Sequence, residues 1–218
     1  MSEVRGQKVG PLSGGRRGSY DRRRLLATSA SRHIIEHGYE GFSVNTLAED
    51  IGMSIGGMYR YIKTKSDLLV MACEDIYGDL PEQLTDLLTG EAPLPDKLRA
   101  AIGTYLQSCL DNRDLILLMY REYRHLPREA QLRYMRREKA IAGKFADVIA
   151  AGIRRGVFAS GVSPLVLAED IIVLGHLPAL KSWALRDEVG VDELVSEHVK
   201  LIMARLLATS QPPQGGTS

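Results

Sequence analysis

Apolar residues recur along this chain at intervals of three and four, and β-branched runs that alternate with polar positions are absent, so the pattern predicts an all-α protein. Over residues 21–37, Leu26, Ala30 and Ile34 share a helix face, with Leu25 and Ile35 beside them and Gly38 as the stop. Residues 44–51 form a second helix carrying Leu47, Ala48 and Ile51, with Ser43 as N-cap. Gly52 supplies the left-handed residue that ends it. Ser54 caps a third helix over 55–61, and Thr64-x-x-Asp67 is a capping box that opens a fourth. Tyr39 and Phe42 are expected to plug the small core of this head, and His33 and His37 to be exposed.

The helix from Lys65 continues through Leu68, Leu69, Ala72, Cys73 and Ile76, and is expected to end or kink at Pro81. After Pro95 a helix turns Leu98, Ile102, Tyr105, Leu106 and Cys109 inward, and Asn112 or Arg113 breaks it. Residues 115–126 are apolar nearly all round, the pattern of a buried helix. Pro127 opens a long helix to residue 155 with Tyr134, Ile141, Phe145, Val148 and Ile149 inward; Arg133, Arg136, Arg137, Lys139 and Lys144 form its solvated face, and Gly156 caps it. Ser163-Pro164 starts another helix, which Gly175 and Pro178 should loosen or kink. Asp192 caps a last one with Leu194, His198, Leu201, Ile202 and Arg205 on one stripe. The expected organisation is a disordered basic arm (1–19), a three-helix head with a helix-turn-helix (20–66), a helical ligand-binding and dimerisation body (67–209) and a disordered tail (210–218).

Composition adds one asymmetry. The 218 residues carry a net charge of only +1, but residues 1–65 hold 11 Lys and Arg against 6 Asp and Glu. A basic head on an acidic body is the electrostatic footprint of a nucleic-acid-binding module. Arg16, Arg17, Arg22, Arg23 and Arg24 run from the arm into the first helix, and such arms either reach a minor groove or add only non-specific attraction. No apolar run approaches the ~20 residues of a membrane span, and the N-terminus lacks the apolar core of a signal peptide, so a cytoplasmic location is expected. Cys73 and Cys109 fall on apolar faces and are expected in the core. There is no phosphate-binding glycine loop, no HExxH, no nucleophile motif and no metal-ligand spacing among the five His, so neither an enzyme nor a metal or cofactor is expected.

The third helix is an unusual structural helix. Gly56 and Gly57 each cost about 1 kcal/mol relative to Ala, yet they are followed by Met58, Tyr59, Arg60 and Tyr61, side chains of long reach. Missing side chains let a backbone approach a partner closely. Two short helices joined by a Gly-containing turn make a helix-turn-helix, whose second helix enters a DNA major groove. The stretch Ser43-Val44 … Leu47-Ala48 … Ile51-Gly52-Met53-Ser54-x-Gly56-x-Met58-Tyr59-Arg60-Tyr61-Ile62 … Lys65-x-Asp67-Leu68-Leu69 resembles the DNA-binding head of the TetR family of bacterial regulators. Two positions depart from the family pattern: Gly57 replaces the usual Thr, Ser or Ala, and Ile62 the usual Phe.

The resemblance implies a homodimeric repressor on an inverted-repeat, double-stranded operator, with the last two long helices of each subunit forming a four-helix interface. An intramolecular core would give the same apolar stripes. DNA contacts are expected from Ser43, Val44, Ser54, Ile55, Gly56, Gly57, Tyr59, Arg60, Tyr61 and Lys65, with Arg60 reading a base and Ser43, Ser54, Tyr59 and Lys65 holding phosphates. In the body, Tyr105, Cys109, Met119, Tyr120, Arg121, Tyr123, Tyr134, Phe145, His176 and Trp183 are candidates to line a site for a small hydrophobic effector. Residues 120–158 resemble the body of TetR-like regulators that answer to acyl-CoA thioesters. The alternatives are a ligand-independent regulator whose body only dimerises, and a helical enzyme or lipid carrier.

Overall fold

The computed structural model describes residues 16–74, 76–185 and 188–207, and every regular element among them is helical. They divide between Met71 and Ala72 into two compact units. Residues 1–15 of the basic arm and residues 208–218 lie outside the described residues, as do the side chains of Arg16, Arg17 and Arg24.

The first unit is the head. Helix α1 (Arg16–Gly41) starts inside the stretch expected to be an arm and breaks at Gly38, whose φ of 70° is left-handed. Leu26, Ala30 and Ile34 are its buried stripe, and Leu25 and Ile35 are exposed. Helix α2 (Val44–Asp50) buries Leu47 and Ala48, and Ser43 caps it by accepting from Thr46 N at 3.4 Å. Gly52, at φ 64°, turns the chain into α3 (Ile55–Met58), capped by Ser54. This helix is shorter than the 55–61 expected, because Tyr61 N bonds back to Met58 O at 2.8 Å and tightens the chain into a turn. Met58 is fully buried, so it anchors the helix rather than reaching outward. His33 is buried too, against expectation: its Nε2 lies 3.0 Å from Asp50 Oδ2, which gives the ring a polar partner inside. Phe42 is buried and Tyr39 half-buried.

Helix α4 (Lys65–Glu74) contains the division between the units. Half of its expected capping box forms: Asp67 Oδ2 accepts from Lys63 N at 2.7 Å and Thr64 N at 2.8 Å. Pro81 ends nothing. It sits in the first turn of α5 (Leu80–Thr89), where no N–H is required, and Leu80, Leu84 and Leu88 are buried at spacing of four.

The rest of the second unit is α6 (Leu94–Asp111), α7 (Arg113–Glu122), a 3-10 turn (Tyr123–His125), α8 (Arg128–Arg154), α9 (Pro164–Leu180), α10 (Ser182–Leu185) and α11 (Val191–Leu207). Helix α9 is central, packed on α6, α7 and α8, and α11 packs on α6. Helix α7 is amphipathic rather than apolar all round: Ile116, Leu118 and Met119 are buried, whereas Tyr120 and Arg121 are exposed. Glu122 is buried, with His125 Nε2 at 3.9 Å. Helix α9 runs unbroken through Gly175 and Pro178. Gly175 is there for contact: a Cβ on it would lie 2.5 Å from Tyr105 Cε1 and 2.9 Å from Cys109 Sγ. In α11 the buried face is Val199, Ile202, Met203 and Leu206, which leaves Leu201 and Arg205 exposed and shifts the expected stripe. Asp192 lies inside the first turn rather than at the cap, where its charge still suits the helix dipole.

Candidate functional site

The head presents its reaching side chains from a capped turn. Ser54 Oγ accepts from Gly57 N at 3.1 Å, which fixes the entry to α3. A Cβ on Gly57 would come within 2.9 Å of that same Oγ, so the family's usual larger residue needs the cap to shift. Gly56 has nothing within 4 Å of its Cβ direction and faces open space. Ile55, Tyr59 and Arg60 are exposed alongside it, with Tyr61 half-buried. Ser43 is exposed and Val44 half-buried at the start of α2.

Lys65 is engaged within the head. Its Nζ donates to the Glu40 carbonyl at 3.0 Å and lies over the rings of Tyr39 and Phe42, 4.9 and 5.6 Å from their centroids. It therefore ties the start of α4 to the α1–α2 connection. Behind the turn, the His33 hydrogen bond and the neighbouring Arg32 guanidinium hold the Asp50 carboxyl below its usual range, outweighing burial. For Asp67 burial pushes upward, but the backbone N–H groups of Lys63 and Thr64 prevail and its pKa is lowered.

The second unit gathers a polar cluster inside its core. His176, on α9, is only 1% exposed. Its Nδ1 lies 3.0 Å from Tyr120 Oη, and its Nε2 lies 3.2 Å from Tyr77 Oη and 3.4 Å from Tyr105 Oη. Tyr134 and Tyr77 donate to Glu138 Oε2 at 2.8 and 3.2 Å, and Tyr105 donates to the Ile172 carbonyl at 3.1 Å. Burial lowers the His176 pKa against the pull of Glu138, so the ring is neutral at pH 7. Burial also raises the tyrosines, which stay protonated, and pushes the Cys109 thiol up to about 12. Cys73 and Cys109 are both buried, and that pKa makes Cys109 an inert thiol at neutral pH.

Of the body residues singled out in the sequence, the structure brings Tyr105, Cys109, Tyr120, Tyr134 and His176 together, with Phe145 edge-on to Tyr105 at 5.7 Å. Met119 is buried nearby on α7, and Tyr123 is half-buried in the 3-10 turn. Arg121 points to solvent. Trp183 stands apart on α10, 79% exposed, with Lys181 Nζ 5.2 Å from its ring centroid. Two further members join the cluster from outside that set. Glu138 follows Tyr134 by one helical turn, a spacing that could have flagged it; Tyr77 has no local signal. Among the described residues no group of His, Cys, Asp or Glu could hold a metal ion, and no helix is long and apolar enough to cross a membrane.

A capped, Gly-turned helix pair with exposed Tyr59 and Arg60 in the turn that closes its second member, carried by a helical body, is the arrangement of a helix-turn-helix transcription regulator. Residues 26–72 match the family described as bacterial regulatory proteins, tetR family, and residues 91–206 match the tetracyclin repressor-like C-terminal domain. The chain belongs to the TetR family of transcriptional regulators. It is 22% identical over 187 residues to the HTH-type transcriptional regulator HbdR of Aromatoleum sp. (strain CIB), covering 86% of this chain and 81% of HbdR. Its fold matches AibR in complex with isovaleryl coenzyme A and operator DNA (TM-score 0.68, 20% identity, 83% of this chain and 97% of AibR). It also matches FadR of Bacillus subtilis in complex with stearoyl-CoA (TM-score 0.66, 19% identity, 85% of this chain and 97% of FadR).

Proposed function

We propose that the protein is a homodimeric repressor that holds an inverted-repeat operator and is released by a small hydrophobic effector of the acyl-CoA class. The observation that carries the DNA half of this reading is Gly56. Its backbone is not left-handed and its side-chain direction is open, so nothing in the head calls for a glycine that weakens the helix. Close approach of DNA does. Arg60 then reads a base, Tyr59 and Tyr61 flank it, and the backbone of α3 meets the groove wall.

The dimer half is supported by α9 and α11, where Val166, Val173 and Leu201 are exposed around an apolar groove of about 540 Å³. Apolar surface of this kind is a site of association. The effector half is supported by the CoA thioesters carried by the AibR and FadR structures. Release by linkage requires that the effector bind the DNA-free form more tightly, and operator must then weaken the effector by the same factor. Helix α4, which contributes residues to both units, is the element that would carry this coupling.

One observation favours a second reading, in which the body only dimerises: Tyr105 and Phe145 are 0% exposed and so adjoin no space large enough for water. Fluorescence anisotropy with the DNA upstream of the protein's own coding sequence, at fixed salt and with excess competitor, tests the DNA half. Competitor-resistant binding at two chains per site is expected; binding that competitor abolishes at every candidate site would overturn it. Adding acyl-CoA thioesters with alkyl and aryl acyl groups, stearoyl-CoA and isovaleryl-CoA among them, to the same assay separates the two readings.

A further inference from the structure

The hydrogen bonds around His176 point to one position for its ring proton. Tyr134 and Tyr77 both spend their single hydroxyl proton on Glu138 Oε2, and Tyr105 spends its own on the Ile172 carbonyl. The oxygens of Tyr77 and Tyr105 therefore face Nε2 with lone pairs only. The imidazole proton is on Nε2, and Nδ1 is an acceptor, filled by the Tyr120 hydroxyl at 3.0 Å.

The partners of this ring differ in what holds them. Tyr105 and Tyr77 are buried, and α9 lies so close to α6 at Gly175 that a single Cβ would strike the Tyr105 ring. Tyr120 is 49% exposed on α7 and touches the cluster through its hydroxyl and an edge-on ring contact of 5.7 Å with His176. Swinging it away leaves Nδ1 an unmet acceptor facing the opening.

We propose that Tyr120 is a displaceable cover over His176 Nδ1, and that the effector takes its place with a hydroxyl-bearing, by preference phenolic, end. This rests on the effector reading above and narrows it. The site is built around a phenol that the protein itself supplies. A hydroxyaryl group reproduces both the donated hydrogen bond and the edge-on ring contact. A saturated chain or an ether leaves Nδ1 buried without a donor, which costs roughly tenfold or more in affinity.

The test uses the full-length Tyr120→Ala protein with phenol, anisole and toluene as probes, and isotope-labelled histidine to follow the ring nitrogens, His176→Gln identifying the resonance. Phenol is expected to bind, to move the His176 Nδ1 resonance, and to bind about tenfold or more tighter than anisole. Equal binding of phenol and anisole, or no phenol binding to a folded Tyr120→Ala protein, would overturn the proposal. Should circular dichroism show Tyr120→Ala unfolded, Tyr120→Phe decides: loss of the hydroxyl alone must shift Nδ1 toward an unbonded lone pair, and an unmoved resonance refutes the bond. Failure of the effector reading shows separately, as an operator affinity of the wild-type protein that no acyl-CoA changes, whether its acyl group is alkyl or hydroxyaryl.

Discussion

Gly56 in the head and Gly175 in the body are both helical glycines, and their surroundings are opposite. Beyond Gly56 there is nothing within 4 Å; beyond Gly175, Tyr105 and Cys109 stand at 2.5 and 2.9 Å. The second glycine is explained by the chain's own packing, and the first is not. The contrast extends to the two sites. The head's site is made of neighbours in sequence, each held by a cap or turn, and its reaching groups face outward. The body's site joins residues far apart in sequence, such as Tyr77 and His176, separated by 99 positions, and its polar groups satisfy one another inward. A site that is complete without a partner is a packing unit first, and a ligand must displace something to enter it. A site with open space beside a costly glycine fits a partner from outside the chain.

The largest effect is expected at Gly175→Ala. The added methyl group cannot fit without moving Tyr105 or α9, so a loss of roughly 1–3 kcal/mol or more in urea unfolding is expected. An unchanged midpoint would show that the contact yields freely. Next is Arg60→Ala, which should lose discrimination at one base position by about 1–3 kcal/mol. Lys65→Ala should instead weaken all duplexes alike and also lower stability, because Nζ holds the Glu40 carbonyl. Identical base profiles for the two variants would contradict a division of labour between base reading and phosphate holding.

Asp67→Ala removes the acceptor for two N–H groups at the start of α4 and should cost roughly 0.3–1.5 kcal/mol. Its folded pKa is lowered from the usual 3.8, so its contribution is complete above that value and disappears as pH falls through the lower folded value. Thermal melts of wild type and Asp67→Ala should therefore converge below about pH 4. A gap that stays constant into acid would refute the capping role. The smallest effect has the opposite sign: Gly56→Ala should stabilise the head by about 0.5–1 kcal/mol while weakening operator binding. Stabilisation with unchanged DNA affinity would mean that close approach of DNA is not why a glycine stands at that position.

Much of the fold, the caps and turns that shape the head's candidate site included, is legible in the sequence, for a physical reason. The caps at Ser43 and Ser54, the turn at Gly52 and the return of Asp67 to Thr64 are short-range chemistry, so residue type and spacing suffice. The buried stripes of α1, α6 and α8 follow from helical period in the same way. What escapes depends on distant partners. His33 reads as a surface residue because nothing adjacent announces Asp50. Pro81 reads as a terminator although the leucines at 80, 84 and 88 carry a helix beyond it. Gly175 reads as a weak point because the Tyr105 ring that needs its space lies 70 positions away in sequence. The same holds for Tyr77, between α4 and α5, and Glu138, on α8, which enter the polar cluster through partners far away in sequence.

The central claim is that two copies of the head read one operator, and selection of duplexes from a random pool by the full-length protein at fixed salt tests it most directly. Enrichment of two half-sites in inverted orientation is expected, with centres one helical turn (about 34–36 Å) or a multiple of it apart. A pool that emerges without a shared sequence, or with a single unpaired half-site, would contradict it.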